Sequence, residues 1–336
     1  MYYIGLDISK TTISVYIPKI DKDIEIENSI KAIRSLYSKL KKVYKKDIEG
    51  VVFVYEPTAN YSSILKRFCS EKNIKVFLIN PKQSSNFAKA IAQRGKSDKA
   101  DARMLSHAGI IAKDDEIVVP VINHLVEEIK ELMAYYKIKV KHRVGLSNHL
   151  ESLSAKQNNS TLVNKVQKEL DKLKKDEKEI IEEIYQLIKK DTTLHDKYKA
   201  IISIDGIGKI VAIALIHLFV KYPNANQREI VSLIGLDPIK RESGTSIRGK
   251  TRISKAGGKI YRGGLFMAAM VAIRYNENMK QFYNRLKENH KHTTVAQVAV
   301  MRKLVIIAHS LFKSGELYDE NKYLQETSSE KLEKVA

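Results

Sequence analysis

The chain has one cysteine, Cys69, in 336 residues. A single thiol cannot close an intramolecular disulfide or supply a Cys-cluster zinc site, and it points to a reducing, cytoplasmic compartment. Long apolar runs are also missing. The longest, Ile210 to Val220, is broken by His217 and is shorter than the roughly 20 residues that cross a bilayer, so no membrane partner is expected. Met1-Tyr2-Tyr3-Ile4-Gly5 has neither a charged n-region nor a cleavage motif, and no secretory signal is expected. His107, His142, His149 and His217 lack partners at metal-ligand spacing and read as surface or core residues. Acids are scarce beside bases, 39 against 59, which leaves a formal net charge of +20. Such an excess calls for a polyanionic partner. Arginine is the sparser cation, with 13 in all, and four of them fall between Arg241 and Arg262.

What is present is concentrated in the stretch from Gly235 to Arg262. A turn signal, Gly235-Leu236-Asp237-Pro238, opens it. Ser243-Gly244-Thr245-Ser246 then lies among Arg241, Arg248, Lys250, Arg252, Lys255, Lys259 and Arg262. From Lys240 to Arg262 there are eight basic residues and one acid, Glu242. A small hydroxyl beside a glycine, surrounded by guanidinium groups, suits a serine that attacks a phosphodiester. The same pattern also fits a solvated basic loop with incidental serines.

The first hundred residues read as α/β. Tyr2 to Ile8, Thr11 to Ile17 and Asp23 to Ile26 form a meander of short strands. A helix comes next over Ile30 to Tyr44, with apolar residues at helical spacing. Gly50 to Tyr55 is a nearly continuous apolar strand, Asn60 to Ser70 a helix, and Lys75 to Ile79 a further strand. Helices over Lys82 to Ala92 and Asp98 to Ile111 complete the order of a ribonuclease H-type fold.

Four acids fall at positions where that topology brings chain ends together. Asp7 lies in the first strand, beside Gly5. Glu56 closes the fourth strand, the first strand's neighbour. Asp98 and Asp101 share one face of a helix start. Clustered carboxylates repel one another unless a hard divalent ion neutralises them, and two such ions can clamp an in-line phosphoryl displacement. Taken singly, Asp98 also reads as a helix cap and Glu56 as a strand-end solvent contact.

The sequence resembles the insertion-sequence one-ten transposases, which are bridge-RNA-guided DNA recombinases. The matching residues are Gly5-Leu6-Asp7-Ile8-Ser9-Lys10, Glu56-Pro57-Thr58-Ala59-Asn60-Tyr61, Asn80-Pro81 and Lys96-Ser97-Asp98-Lys99-Ala100-Asp101-Ala102. They continue through Ile204-Asp205-Gly206-Ile207-Gly208, Gly235-Leu236-Asp237-Pro238, Glu242-Ser243-Gly244 and Ile253-Ser254-Lys255-Ala256-Gly257. The resemblance implies a RuvC-like domain in which Asp7, Glu56, Asp98 and Asp101 bind Mg²⁺, with Mn²⁺ as a substitute. It further implies a transposase domain in which Ser243 attacks DNA, and a structured non-coding bridge RNA that pairs with donor and target. The chain departs from the family at Ala59, where glycine is usual, at Asp205, where proline is frequent, and at Gly263-Gly264, where Arg or Ala is common. None of these removes a chemical group.

Between the halves the chain becomes charged and helical. Val163, Val166, Leu170, Leu173, Ile180, Ile184 and Leu187 make an apolar seam that Glu177 interrupts. Ile129, Leu132, Tyr136 and Val140 mark an earlier helix, and Lys156 to Ser160 reads as the turn. The seam fits an antiparallel hairpin within one protomer and a dimerising coiled coil equally, and the resemblance favours assembly into a dimer or tetramer. Further on, Ile204 to Gly208 before the apolar helix Ile210 to Phe219 looks like a helix-hairpin-helix turn, with Gly206 and Gly208 offering backbone N–H groups to phosphate. Gln227 to Leu236, Tyr261 to Tyr275 and Val295 to Phe312 read as helices, and the end from Glu316 reads as frayed.

The expected architecture is therefore α/β plus α in three parts. These are a ribonuclease H/RuvC-like domain over 1–118, a helical coiled-coil region over 119–195 and a mainly helical transposase domain over 196–336. The expected activity is DNA strand exchange through a covalent phosphoserine, with double-stranded donor and target DNA as partners. Two rivals stand beside it. One is a RuvC-type endonuclease that hydrolyses DNA by two-metal catalysis, and the other is a catalytically silent nucleic-acid-binding protein.

Overall fold

An alternation at the N-terminus starts the sheet. In β1 (Tyr2–Ile8), Ile4, Leu6 and Ile8 are buried in one core, and Tyr3, Gly5 and Asp7 occupy the opposite face. β2 (Thr12–Ile17) and β3 (Lys22–Glu27) continue it as an antiparallel meander. Ser29 starts α1 (Ile30–Tyr44) by accepting from the Ala32 N–H, and the helix buries Ile33, Leu36, Leu40 and Tyr44. Next come β4 (Val51–Tyr55), α2 (Ser63–Glu71), β5 (Lys75–Leu78), α3 (Pro81–Ala90) and α4 (Asp98–Ala108). α4 stops short of the expected Ile111, because Gly109–Ile111 tightens into a 3-10 turn.

The structure, a computed structural model, describes residues 1–58, 60–92, 95, 97–155, 160–243 and 247–322, and at 160, 241–243, 247, 248 and 250 the backbone alone. Within those residues the sheet order is β3-β2-β1-β4-β5-β6, with β1, β4 and β5 parallel. The edge strand β6 (Ile117–Val118) is too short to have been read from the sequence. This mixed sheet fits a ribonuclease H-type domain. α1 and α2 cover the face bearing Ile4, Leu6, Phe53 and Tyr55. α4 packs on the other face against Val52, Val54 and Phe77.

Gly5 sets how closely α4 approaches the sheet. A Cβ at this position would fall on the Ala102 carbonyl oxygen and 2.5 Å from the Ser106 nitrogen. Because both neighbours are helix backbone, neither can move without lifting α4. Gly5→Ala is expected to cost at least about 3 kcal/mol, lowering the first unit's melting transition by about 10 °C or more in calorimetry of the full chain.

The chain divides into two compact units, Met1–Asn123 and His124–Ala336. The second contains α5 (His124–Ala155), α6 (Ser160–Lys189), α7 (Thr192–Ile202), α8 (Lys209–Lys221) and α9 (Gln227–Ile234). A hairpin of β7 (Pro238–Ser243) and β8 (Ile247–Ile253) comes next, then α10 (Lys259–Tyr275), α11 (Glu277–Glu288) and α12 (Thr293–Ser314). α5 and α6 lie antiparallel, and Ile129, Met133, Ile180, Ile184 and Ile188 share one core with α7, α8 and α12. The base of this helical pair thus shares the core of the second unit.

The α6 seam is filled from within the chain by α5. Glu177, its polar interruption, is 9% exposed and accepts a 2.6 Å hydrogen bond from Arg143 Nε. In the last turn the buried position is Ile188 rather than Leu187. The turn expected over Lys156 to Ser160 lies largely outside the described residues. The end beyond Glu316 was expected to fray, yet it is held as far as Glu320. The Tyr318 N–H donates to Ser203 Oγ at 2.8 Å, and Asn278 Nδ2 donates to the Glu320 carbonyl at 2.7 Å. α12 has the length and apolarity to cross a membrane, but its Val300, Leu304, Val305 and Ala308 are buried in the unit's core.

Candidate active site

The acids of the first unit are brought together by register. β1 and β4 run parallel with Leu6 opposite Tyr55, so Asp7 and Glu56 are next in line at their C-terminal ends. Alternation then assigns a face. Val52 and Val54 look toward α4, as do Tyr3 and Gly5, so Asp7 and Glu56 fall on that side. α4 runs antiparallel to β1, since Ser106 Oγ donates to the Tyr3 carbonyl at 2.5 Å while Gly5 meets Ala102 nearer the helix start. Two residues further along β1 is about 7 Å, and four residues back along α4 is about 6 Å, which brings Asp7 level with Asp98. Asp101 lies in the same first turn of α4, where Ser97 caps the helix by accepting from the Ala100 N–H.

Two further contacts hold these elements. Arg103 Nη2 donates to Asp23 Oδ2 at 2.7 Å and Nη1 to Asp21 Oδ1 at 3.0 Å, with its guanidinium 4.5 Å from the centre of the Tyr16 ring. One residue of α4 is therefore fastened to the β2–β3 turn, two positions after Asp101. Glu56 accepts from the hydroxyl of Ser84, a buried residue of α3. Neither Arg103 nor Ser84 was singled out in the sequence. Arg103 is readable only as a cation within a helix, and Ser84 as one serine of a pair.

Four carboxylates are the donors a hard divalent ion prefers, and their backbone positions gather at one sheet end. Among the described residues no three His, Cys, Asp or Glu side chains stand close enough to share an ion. Holding one takes side-chain rotation, and Glu56 has a second carboxylate oxygen beside the one that accepts from Ser84.

In the second unit the basic stretch is a β-hairpin where the sequence suggested a loop. Asp237 and Pro238 lead into β7, and Ser243 ends it, paired in register with Ile247. Gly244, Thr245 and Ser246 lie outside the described residues, as do the side chains of Arg241, Ser243, Arg248 and Lys250. Arg252, Lys255 and Lys259 are exposed and open to a polyanion. Arg262 is differently engaged. Its Nη1 donates to the Ile234 carbonyl at 2.8 Å and to the Gly257 carbonyl at 2.5 Å, which ties the start of α10 to the end of α9. Ser254 donates its hydroxyl to Asp237 across the hairpin's root.

Gly206 and Gly208 also separate in role. Gly206 adopts φ +102, and a Cβ there would lie 2.7 Å from Ala272 Cβ and 2.8 Å from the Ala268 carbonyl. It serves a tight turn packed on α10, against Ala268 and Ala272. Gly208 is the N-cap of α8 with open space beside it.

Comparison with known proteins bears on both units. A family model described as Transposase, for the DEDD domain of IS110 elements, matches residues 4–156, and one described as Transposase IS116/IS110/IS902 family matches residues 198–284. The chain belongs to the IS110 transposase family. This IS110 transposase is a DNA recombinase enzyme. It is similar to the pilin gene-inverting protein of Moraxella bovis, at 27% identity over 275 residues, covering 79% of this chain and 81% of the relative. The pilin gene-inverting protein of Moraxella lacunata matches to the same extent, 27% over 275 residues. The DEDD match of the transposase takes in Asp7, Glu56, Asp98 and Asp101, and the second match takes in the hairpin and Ser243.

Proposed function

We propose that this IS110 transposase exchanges DNA strands through a covalent phosphoserine at Ser243, assisted by Mg²⁺ or Mn²⁺ at Asp7, Glu56, Asp98 and Asp101. The observation that carries the reading is the register of β1, β4 and α4, which puts four acids at one sheet end in a recombinase of this family. Held by those four carboxylates, a divalent ion would polarise the scissile phosphate and offset charge on its oxygens. The chain's own residues do the rest. The Ser243 oxygen forms the bond to phosphorus, the bond from phosphorus to the leaving strand oxygen breaks, and the serine proton passes by way of solvent to that oxygen. Exposed Arg252, Lys255 and Lys259 hold the DNA backbone beside the hairpin. The phosphoserine keeps the phosphodiester energy, so a second strand end can displace Ser243 and rejoin. The Moraxella relatives are named as pilin gene-inverting proteins, and inverting a gene entails cutting and rejoining DNA.

We further propose that a structured non-coding bridge RNA selects donor and target, with the protein acting as a dimer or tetramer. A net charge of +20 without a recognisable base-reading module supports delegation of sequence to an RNA. Protein purified with its RNA is expected to recombine donor and target DNA and to lose that activity after ribonuclease treatment. Binding is expected to weaken steeply with salt, since about 6–10 phosphate contacts on duplex DNA cost ~10³–10⁵ in affinity between about 50 and 200 mM. Recombination that survives removal of all RNA sinks the guided reading.

A further inference from the structure

The hairpin carrying Ser243 is a two-stranded ribbon, an element with little stability of its own. Its direction is therefore decided at the root, which is built unusually tightly. Gly235 ends α9 at φ +77, and a Cβ on it would lie 2.6 Å from the Ala256 nitrogen. A Cβ on Gly257 would strike the carbonyl group of Leu233 and lie 2.5 Å from the Ile234 carbonyl carbon. The two glycines thus let the chain entering the hairpin and the chain leaving it touch backbone to backbone. Hydrogen bonds then close the contact. The Lys255 N–H donates to the Gly235 carbonyl at 3.0 Å and the Ser254 N–H to the Asp237 carbonyl at 2.9 Å. Two side-chain links finish it, the Ser254 hydroxyl on the Asp237 carboxylate and the Arg262 guanidinium on the Ile234 and Gly257 carbonyls.

Each link is braced from behind. Tyr261, beside Arg262, has its hydroxyl 3.0 Å from Nδ1 of the buried His217 on α8. Burial pushes His217 down to about 4, so the ring is neutral at physiological pH. Arg302 of α12 is half-buried with no hydrogen-bond partner for its Nε among the described residues, and burial lowers its pKa while Asp237 opposes that shift.

From Pro238 to Ser243 the strand rises about 17 Å. A swing of ~5° at the root therefore moves Ser243 by about 1.5 Å, and a misplacement of about 1 Å can cost ~10²-fold in rate. We propose that Asp237, Ser254 and Arg262 form a latch that aims Ser243 at the scissile phosphate. They are positioning residues for strand attack and not DNA ligands. The proposal rests on Ser243 being the nucleophile, and its test separates the two.

The full chain, with its RNA, labelled DNA and Mg²⁺, is followed in single turnover for adduct formation and, separately, for DNA affinity against salt. Ser254→Ala is expected to bind DNA as wild type does and to form the adduct about 10- to 100-fold more slowly, with Ser254→Thr recovering most of the rate. Arg262→Gln is expected to slow the adduct similarly with an unchanged salt slope. A slope lower by about one would mark Arg262 as a phosphate ligand and remove it from the latch. An unchanged adduct rate in Ser254→Ala overturns the latch, whether or not the Arg262 variant folds. Ser243→Ala runs alongside. If it keeps the adduct while Ser254→Ala abolishes it, Ser254 is itself the nucleophile and both readings fall. If it keeps the adduct while Ser254→Ala only slows it, the Ser243 reading fails and the root still governs attack by another residue.

Discussion

A Ser243→Ala protein is expected to bind its RNA and DNA and to form no covalent DNA adduct at all. The measurement is a denaturing gel of labelled DNA quenched in denaturant. Wild type gives a slow species that protease collapses, and the variant gives none. The effect is complete because the substitution removes the only atom that would bond to phosphorus, while a methyl side chain at a strand end disturbs the hairpin little. Two other serines lie in the same basic stretch. Ser254 donates its hydroxyl to Asp237, and Ser254→Ala separates it from Ser243 in the same assay. Ser246 is the remaining control, and an adduct that persists in Ser243→Ala and vanishes in Ser246→Ala transfers the role. Free cut ends without an adduct in Ser243→Ala would instead point to hydrolysis of the resolvase type.

The second large effect concerns charge at the sheet end. Asp98→Asn keeps size and hydrogen-bonding shape but removes one negative charge from the first turn of α4. Loss of a metal-held carboxylate is worth several kcal/mol of transition-state stabilisation, so strand exchange is expected to fall by about 10³-fold or more at fixed Mg²⁺. Asp7→Asn should match it, and chelator should abolish wild-type activity. The fold should survive, since Asp98 is exposed and the Ser97 cap remains. Equal activity of Asp98→Asn and wild type, or full activity in chelator, removes the ion from the mechanism.

The sheet was legible because its strands are simple patterns. Ile4, Leu6 and Ile8 alternate, Val51 to Tyr55 is continuous, and helix α1 has its expected ends, Ile30 and Tyr44. That Asp7 and Glu56 lie at neighbouring strand ends was legible because topology alone decides which strand ends are neighbours. The β7–β8 hairpin was not, since Lys240 to Ser243 and Arg248 to Arg252 carry no apolar alternation. Its pairing depends on backbone bonds and on a root made by Gly235 and Gly257, residues that also read as plain turns. Arg262 shows the same limit from another side. A guanidinium in a basic run looks like a phosphate ligand, and only the fold reveals that two carbonyls claim it. Gly206 has a signal that could have been used, because the small residues Gly264, Ala268 and Ala272 recur every fourth position on the helix it packs against.

The Arg143–Glu177 pair in the α5–α6 seam has a consequence for length. An otherwise apolar seam could slide by a turn and still bury its Leu and Ile residues. Such a slide would break two ion pairs between the helices, Arg143–Glu177 and Lys139–Asp176, each at 2.6 Å, and a buried pair that loses one partner costs roughly 3–5 kcal/mol. The pair is thus an index pin for the two helices, and every residue beyond it is at a fixed distance from the core. Added length on one arm alone breaks the match. Seven residues added to both arms beyond the pin preserve it and extend the pair by about 10 Å, so the reach of this arm can be graduated in heptads while the unit at its base stays unchanged.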